Sequence, residues 1–406
     1  MELLVATLKK SLEVTSGCTE PAAIAYCASF AGKYLGEQPT RFVFKIDQRT
    51  YKNAFAAGIP HAGPRKGSEW ALVLGFVTAT PDKRLSLFTL LNPDLLNQAD
   101  QLYAQDLIEV ELIDTEGLLI DLLVHGQNNK VHATLQGGHT RISHLSRNDI
   151  ALETENHSAQ NCSPLPFAFD KSFYNAEKWP ELVDSAYADV ELQQTVRQGI
   201  AYNMAAALHG QQYIPSKGND GEHLVMGAIF ARMNGDPIPV MSCAGSGNKG
   251  LTSFIPVVSY SRQHNRGEET EIKAVLVSIL LTAMITSRFG EVSSVCGAQY
   301  AAGAGIIGGI LYLRDELPLF EGAYNNFISS ISGGFCDGAK GSCSMRGSTA
   351  VSVALASIKH AEAGFIVSSR DGFLGQSFLE TLDNLQKYNP LIAKFELETI
   401  KILKEK

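Results

Sequence analysis

Several things are scarce or missing in this sequence, and each absence narrows its reading. There is no long basic run and the net charge is −8, which argues against nucleic acid as a partner. The first ten residues do not follow a secretory signal's order of positive, apolar and small segments. They read instead as an amphipathic helix. No tandem repeat of constant period is present. Cysteine is sparse, with seven in 406 residues, an odd count. A disulfide framework needs pairs and an oxidising compartment, so free thiols or ligands in a reducing, cytoplasmic setting are expected. Long apolar runs are few. Ala274 to Ile285 is shorter than the ~20 residues that cross a bilayer. Val295 to Leu313 is long enough, but it carries Cys296, Gln299 and many glycines and alanines and reads as a buried core helix. No membrane partner is expected.

What remains is an ordinary globular balance, 45% hydrophobic and 19% charged, long enough for two or three domains. The predicted fold class is α+β. Residues 1 to 35 read as helical, through the stripe Leu3, Leu4, Leu8 and Leu12 and a second helix capped by Thr19 with Pro21 in its first turn. Residues 1–40 are expected to pack on the catalytic core. Residues 41–147 read as a sheet-containing α+β domain with a helix at Glu69 to Val77. Here Ile108 to Leu112 and Leu118 to Val124 turn back on each other, and a hairpin lies around Gln136-Gly137-Gly138-His139. Residues 148–180, with Pro164, Pro166 and Pro180, read as a connector. Residues 181–406 read as helical almost throughout.

The chemistry gathers on cysteines. Cys336-Asp337-Gly338-Ala339-Lys340-Gly341-Ser342-Cys343 brackets a small polar loop between two of them, Cys296 lies upstream, and Cys18 sits in Gly17-Cys18-Thr19-Glu20-Pro21. Three thiolates on a cluster leave one iron open as a Lewis acid. By spacing alone these cysteines are equally readable as small core residues. Cys18 falls at a probable helix N-terminus, where the dipole lowers a thiol pKa. Cys27, Cys162 and Cys243 read as structural.

These motifs, with Gly245-Ser246-Gly247-Asn248-Lys249-Gly250, Val295-Cys296-Gly297-Ala298, Gly137-Gly138-His139-Thr140 and Lys52-Asn53, resemble the L-cysteine desulfidase family, which is related to the catalytic chain of iron–sulfur L-serine dehydratases. The resemblance spans residues 17 to about 350, except about 148 to 200. It implies a [4Fe–4S] cluster on Cys296, Cys336 and Cys343, with Cys18 as the proton acceptor from the substrate. It implies conversion of L-cysteine and water to pyruvate, ammonia and sulfide without pyridoxal phosphate. Thr19, Glu20, Asn53, His139, Ser246, Gly247 and Asn248 are the expected substrate contacts, with His139 the rival base. The backbone of Gly245 to Asn248, or Lys52-Asn53, would meet the substrate carboxylate. A small amino acid is the expected partner, and a homo-oligomer stays open. L-serine dehydration and a non-catalytic metabolite-binding role are the alternatives.

Other motifs carry less. Gly245 to Gly250 fits a dinucleotide fingerprint, but Pro237, Pro239 and Pro256 argue against the strand and helix it needs. His139 and His144 lie five apart on a hairpin whose alternation would turn them apart, with His132 on the partner strand. Asp337 reads as a turn cap rather than a catalytic acid.

Overall fold

The computed structural model describes residues 2–115, 117–152, 169–215, 220–290 and 292–405. The fold is α+β, a large helical part and a smaller part built on a mixed sheet. Helix α1 (Glu2–Lys10) lays Leu4 and Leu8 into the helical core. The apolar stripe continues to Leu12, but there the backbone becomes extended as β1 (Leu12–Ser16). The helical reading of this stretch is corrected: β-branched Val14 and Thr15 suit a strand, and a distant segment supplies its hydrogen bonds. Helix α2 (Thr19–Leu35) follows, capped by Cys18 rather than Thr19 and ended by Gly36 in the left-handed region. Its Ala22–Ala31 face is buried in the core of the sheet. Residues 1–40 therefore divide, α1 packing on the helical core and α2 on the sheet.

The chain continues through β2 (Arg41–Asp47), α3 (Gln48–Ala54), α4 (Ser68–Thr78), α5 (Pro93–Tyr103), β3 (Ile108–Ile113), β4 (Leu119–His125), β5 (Lys130–Gln136), β6 (Ile142–Arg147) and the short β7 (Ile150–Ala151). Spatial order is β3-β2-β4-β5-β6-β7. Strands β3 and β4 run in opposite directions but do not pair. Instead β2 lies between them, parallel to β3 and antiparallel to β4. Local alternation in a sequence shows a strand but not its neighbour. Ile120, Leu122 and Val124 of β4 and Val131, Ala133 and Leu135 of β5 turn to the buried side, as period-two alternation requires. Cys27 of α2 is buried there, its thiol 3.4 Å from the Ala133 carbonyl.

Of the predicted connector, residues 153–168, with Cys162, Pro164 and Pro166, lie outside the described residues. The helical part then runs through α6 (Trp179–Tyr187), α7 (Val190–Gly210), α8 (Gly221–Asn234), β8 (Pro239–Cys243), α9 (Gly247–Gln263), α10 (Glu268–Phe289), α11 (Gly297–Leu313), α12 (Phe320–Ile331), α13 (Cys343–Glu362) and α14 (Phe378–Lys404). Strand β8 interrupts the predicted helical run. It pairs antiparallel with β1, Leu12 opposite Cys243 and Ser16 opposite Pro239. Helix α10 is longer than its most apolar stretch suggested: its 22 residues are long and apolar enough to cross a membrane, but 83% of its apolar window is buried inside the protein. Serine and threonine hydroxyls within it bond to backbone carbonyls, as from Ser278 to Ser253 at 2.8 Å.

Helix α14 closes the structure through one buried carboxylate. Lys52 Nζ of α3 lies 2.6 Å from Glu396 Oε1. Arg49 Nε and Ser294 Oγ donate to Glu396 Oε2 at 2.8 and 2.9 Å. Lys52 also donates to the Cys336 carbonyl at 2.8 Å. One carboxylate thus ties α3 and α14 to the segments carrying Cys296 and Cys336. Burial pushes the Glu396 carboxyl up, but Lys52 and Arg49 outweigh it and hold it below the usual carboxylate value. The folded value lies below the unfolded one, so this stabilisation is complete above a pH of about 4.3 and is lost as pH falls through the folded value. Removing one member of a buried pair strands the other, at a cost of about 3–5 kcal/mol. Glu396→Ala is therefore expected to lower the stability measured by urea denaturation by about 3 kcal/mol at neutral pH. Glu396→Gln should lower it less, and the deficit should shrink in acid. A deficit independent of pH would show that Glu396 acts through packing alone.

Candidate active site

Four helix N-termini meet at one cavity. Cys18 caps α2, Ser246 caps α9, Cys296 caps α11, and Cys343 opens α13. All four residues line the cavity, with Thr19, Glu20, Asn53, Arg232, Asn248, Lys249 and Cys336 among their neighbours. Each N-terminus points the positive end of its helix dipole at the cavity, although at α13 the first N–H groups, of Cys343, Ser344 and Met345, already bond to the Lys340, Gly341 and Ser342 carbonyls. Four together make a seat for anions, thiolates included.

The two cysteine segments are held side by side. Cys296 N donates to the Gly334 carbonyl at 2.8 Å and Cys336 N to the Ser294 carbonyl at 2.7 Å, with Val295 bridged to Phe335 between them. The loop after Cys336 turns at Gly338, whose φ is +100°. A side chain there would collide with the Lys52 carbonyl, so both conformation and space call for glycine. Asp337 spends its carboxylate on the loop, 2.6 Å from Lys340 Nζ and 3.1 Å from Arg346 Nη2.

Cys296, Cys336 and Cys343 are all free thiols. Burial, then the neighbouring Cys336 and Cys343, pushes the Cys296 thiol up to about 12. Ionised neighbours thus disfavour ionisation of Cys296, an effect that a bound cation would reverse. Among the described residues no three His, Cys, Asp or Glu side chains are grouped to hold a single metal ion. Cys296, Cys336 and Cys343 all line the cavity, and cysteine thiolates are the donor type that iron–sulfur clusters take.

Cys18 faces the same cavity, but its electrostatics differ from expectation. Its Sγ donates to Glu20 Oε2 at 2.9 Å. Burial and then the Glu20 charge raise the thiol well above its ordinary value, overriding the α2 dipole. The expected low-pKa thiolate is corrected to a neutral thiol hydrogen-bonded to a carboxylate. Thr19 Oγ1 donates to the same oxygen at 3.1 Å, and Asn53 Nδ2 donates to Oε1 at 3.0 Å. Burial pushes the Glu20 carboxyl up, yet His139, Cys18 and Asn53 together hold it below its usual value. Asn53 Oδ1 also lies 3.8 Å from Cys336 Sγ, which links this pair to the cysteine loop.

Some predicted contacts stand apart. His139 lies in the β5–β6 turn beside the cavity, not in its lining, and its buried Nε2 has no hydrogen-bond partner among the described residues. Gly247 packs under Arg232 rather than lining the cavity. Lys52 is committed to Glu396, away from the substrate space. His132 pairs with Asp121 at 2.7 Å, and its ring lies 4.7 Å from that of His144 on the neighbouring strand, whereas His139 lies in the turn. The Gly-Ser-Gly motif does join a strand to a helix, β8 to α9, with Pro239 opening the strand and Pro256 inside the helix. Its strand is antiparallel to β1, not part of a parallel βαβ unit. Arg232 and Lys249 were missed. Lys249 stands inside a motif already singled out, while Arg232 sits in α8 with no local signal.

A family model described as serine dehydratase alpha chain matches residues 129–394. The chain belongs to the serine dehydratase alpha-chain family. A UPF0597 protein of Clostridium tetani is 31% identical over 400 residues, covering 95% of this chain and 94% of its own length. A UPF0597 protein of Geobacter sulfurreducens is 30% identical over 407 residues, covering 94% and 92%. As a family member the chain is a serine dehydratase-like lyase. The family match includes Arg232, the α9 N-terminus and the three clustered cysteines, whereas Cys18, Glu20 and Asn53 precede it.

The Cys18–Glu20 contact can be tested by thiol chemistry. Glu20→Gln removes the charge that raises the Cys18 thiol. Alkylation of the Cys18 peptide by iodoacetamide at mildly alkaline pH, followed by mass spectrometry, should be faster in the variant. An unchanged rate would mean that burial alone sets the thiol.

Proposed function

We propose that this lyase carries out iron–sulfur-dependent β-elimination of L-cysteine, giving pyruvate, ammonia and sulfide. The observation that supports it most is the shared cavity: three free cysteine thiols on one side and the Cys18–Glu20 pair on the other. Cys296, Cys336 and Cys343 would hold a [4Fe–4S] cluster, which when bound supplies an open iron as Lewis acid for the departing sulfur. The chain's own residues manage the proton. The Cα–H of an amino acid is a weak acid and needs a positioned base. Cys18 Sγ takes this proton as its own passes to Glu20 Oε2, across the 2.9 Å contact already present. Cys18 ends neutral, Glu20 ends protonated, and hydrosulfide leaves the β-carbon. The resulting aminoacrylate tautomerises to an imine, and water hydrolyses it to pyruvate and ammonia, which balances the reaction without a further reactant. Thr19 and Asn53 hold Glu20 in place, and His139 keeps it ionised until it accepts the proton.

L-Serine is the second reading, favoured by the family to which the chain belongs. The test is anaerobic purification with cluster reconstitution, then pyruvate measured from L-cysteine and from L-serine, with iron and acid-labile sulfide counted on the same sample. A cluster on each chain with faster pyruvate from L-cysteine is the expected result. The reverse preference would make the chain a serine dehydratase. No iron and no pyruvate from either would leave a metabolite-binding relative. Within this scheme Cys336→Ser loses iron, while Cys18→Ser keeps it and lowers kcat by roughly 10²- to 10⁴-fold, the usual reach of a general base.

A further inference from the structure

Arg232 of α8 is only 2% exposed, yet it lines the cavity. Its Nη1 donates to the neutral amide oxygen of Asn248 at 2.9 Å. Its Nε is buried with no hydrogen-bond partner among the described residues. Glu20, the carboxylate in the cavity lining, is engaged by Cys18, Thr19 and Asn53 instead. A buried cation without a counter-charge is costly and persists only where something compensates it. The guanidinium is pressed against Gly247 at the start of α9, where any side chain would collide with it. This brings a planar cation beside the N-terminus of a 17-residue helix, whose Lys249 N–H is capped by Ser246 and whose Gly247 and Asn248 N–H groups precede the first intrahelical bond.

We infer that Arg232 and the α9 N-terminus together form the seat for the substrate's α-carboxylate. The inference rests on the amino-acid substrate of the proposed function and names the residue that would hold it. The guanidinium fork matches a carboxylate, and the helix end adds N–H donors and positive potential. The seat selects small α-amino or α-keto acids and rejects their amides. The carboxylate carbon is bonded to Cα, and Cys18 lines the same cavity as Arg232. A substrate held by its carboxylate at Arg232 therefore keeps its Cα within the cavity that Cys18 lines. Asn248 positions the guanidinium through Nη1 and leaves its charge free.

The test is isothermal titration calorimetry on the cluster-loaded full chain with L-alanine, which has no leaving group, and with L-alaninamide, which has no carboxylate. Wild type should bind L-alanine and bind the amide far more weakly. Arg232→Met should weaken L-alanine by roughly 30-fold or more and leave the amide unchanged, with Arg232→Lys intermediate. Because Arg232→Met removes a buried group and can misfold, Asn248→Asp is the second arm. It sets a carboxylate on the guanidinium, preserves the packing, and should weaken L-alanine at least tenfold with iron content and melting midpoint retained. L-Alanine binding at wild-type strength in folded Arg232→Met or Asn248→Asp protein overturns the inference. So does equal binding of acid and amide by wild type, or binding of neither. Pyruvate production with binding indifferent to Arg232 sinks this inference alone. Arg232-dependent binding without pyruvate from either amino acid sinks the lyase assignment and leaves the carboxylate seat standing.

Discussion

The convergence of four helix N-termini on one cavity is the constraint to which the rest of the structure answers. Helices α2, α9, α11 and α13 all aim their positive ends at the same space, from both hydrophobic cores of the molecule. The dipoles alone would favour thiolates and carboxylates over their protonated forms. Positive helix ends disfavour cations: Lys52 and Lys340 pair with Glu396 and Asp337, while Lys249 in the lining bonds through Nζ to Thr286 and Arg232 remains there as a buried cation. Burial opposes the dipoles, and at Cys18 burial together with Glu20 wins.

Holding these ends together takes contacts remote in sequence. The β1–β8 ribbon joins the N-terminal segment to the helical core before the chain enters the sheet domain. Glu396, near the end of the described chain, reaches back to Arg49 and Lys52 and to Ser294. A buried carboxylate with three donors is rigid because each donor that moves leaves an uncompensated charge or an unpaired group. That rigidity passes directly to the two segments bearing the proposed cluster thiolates, since Lys52 also holds the Cys336 carbonyl and Ser294 stands two residues before Cys296.

The reaction chemistry reads as a division of labour within the cavity. Cys296 and Cys343 come from the starts of α11 and α13, the Cys18–Glu20 pair from α2, and Arg232 from α8 beside the α9 end, and all of these residues line it. Family membership supports a lyase, and the choice between a thiol and a hydroxyl as leaving group lies with whatever contacts the substrate's β-substituent. His139 influences the site through Glu20 from a neighbouring pocket, a role that a search for a base in contact with substrate would not suggest.

The sequence by itself determined the α+β class, most helices and strands, and many of the residues that line one cavity. Cys18, Glu20, Asn53, Ser246, Asn248, Cys296, Cys336 and Cys343 were all legible, because rare residue types in glycine-rich turns stand out locally, and they share one cavity. Tertiary structure decided what depends on distant partners. Strands β1 and β8 exist because they find each other, and β2 separates β3 from β4 although nothing between those two strands signals it. The Cys18 thiol is neutral because folding buries it beside Glu20, a cost that no helix-start motif reveals. Arg232 is an ordinary helical arginine in sequence. It becomes a buried, incompletely satisfied cation only when α8 packs beside the start of α9. Local chemistry is written residue by residue, whereas burial and electrostatics depend on what the rest of the chain brings near.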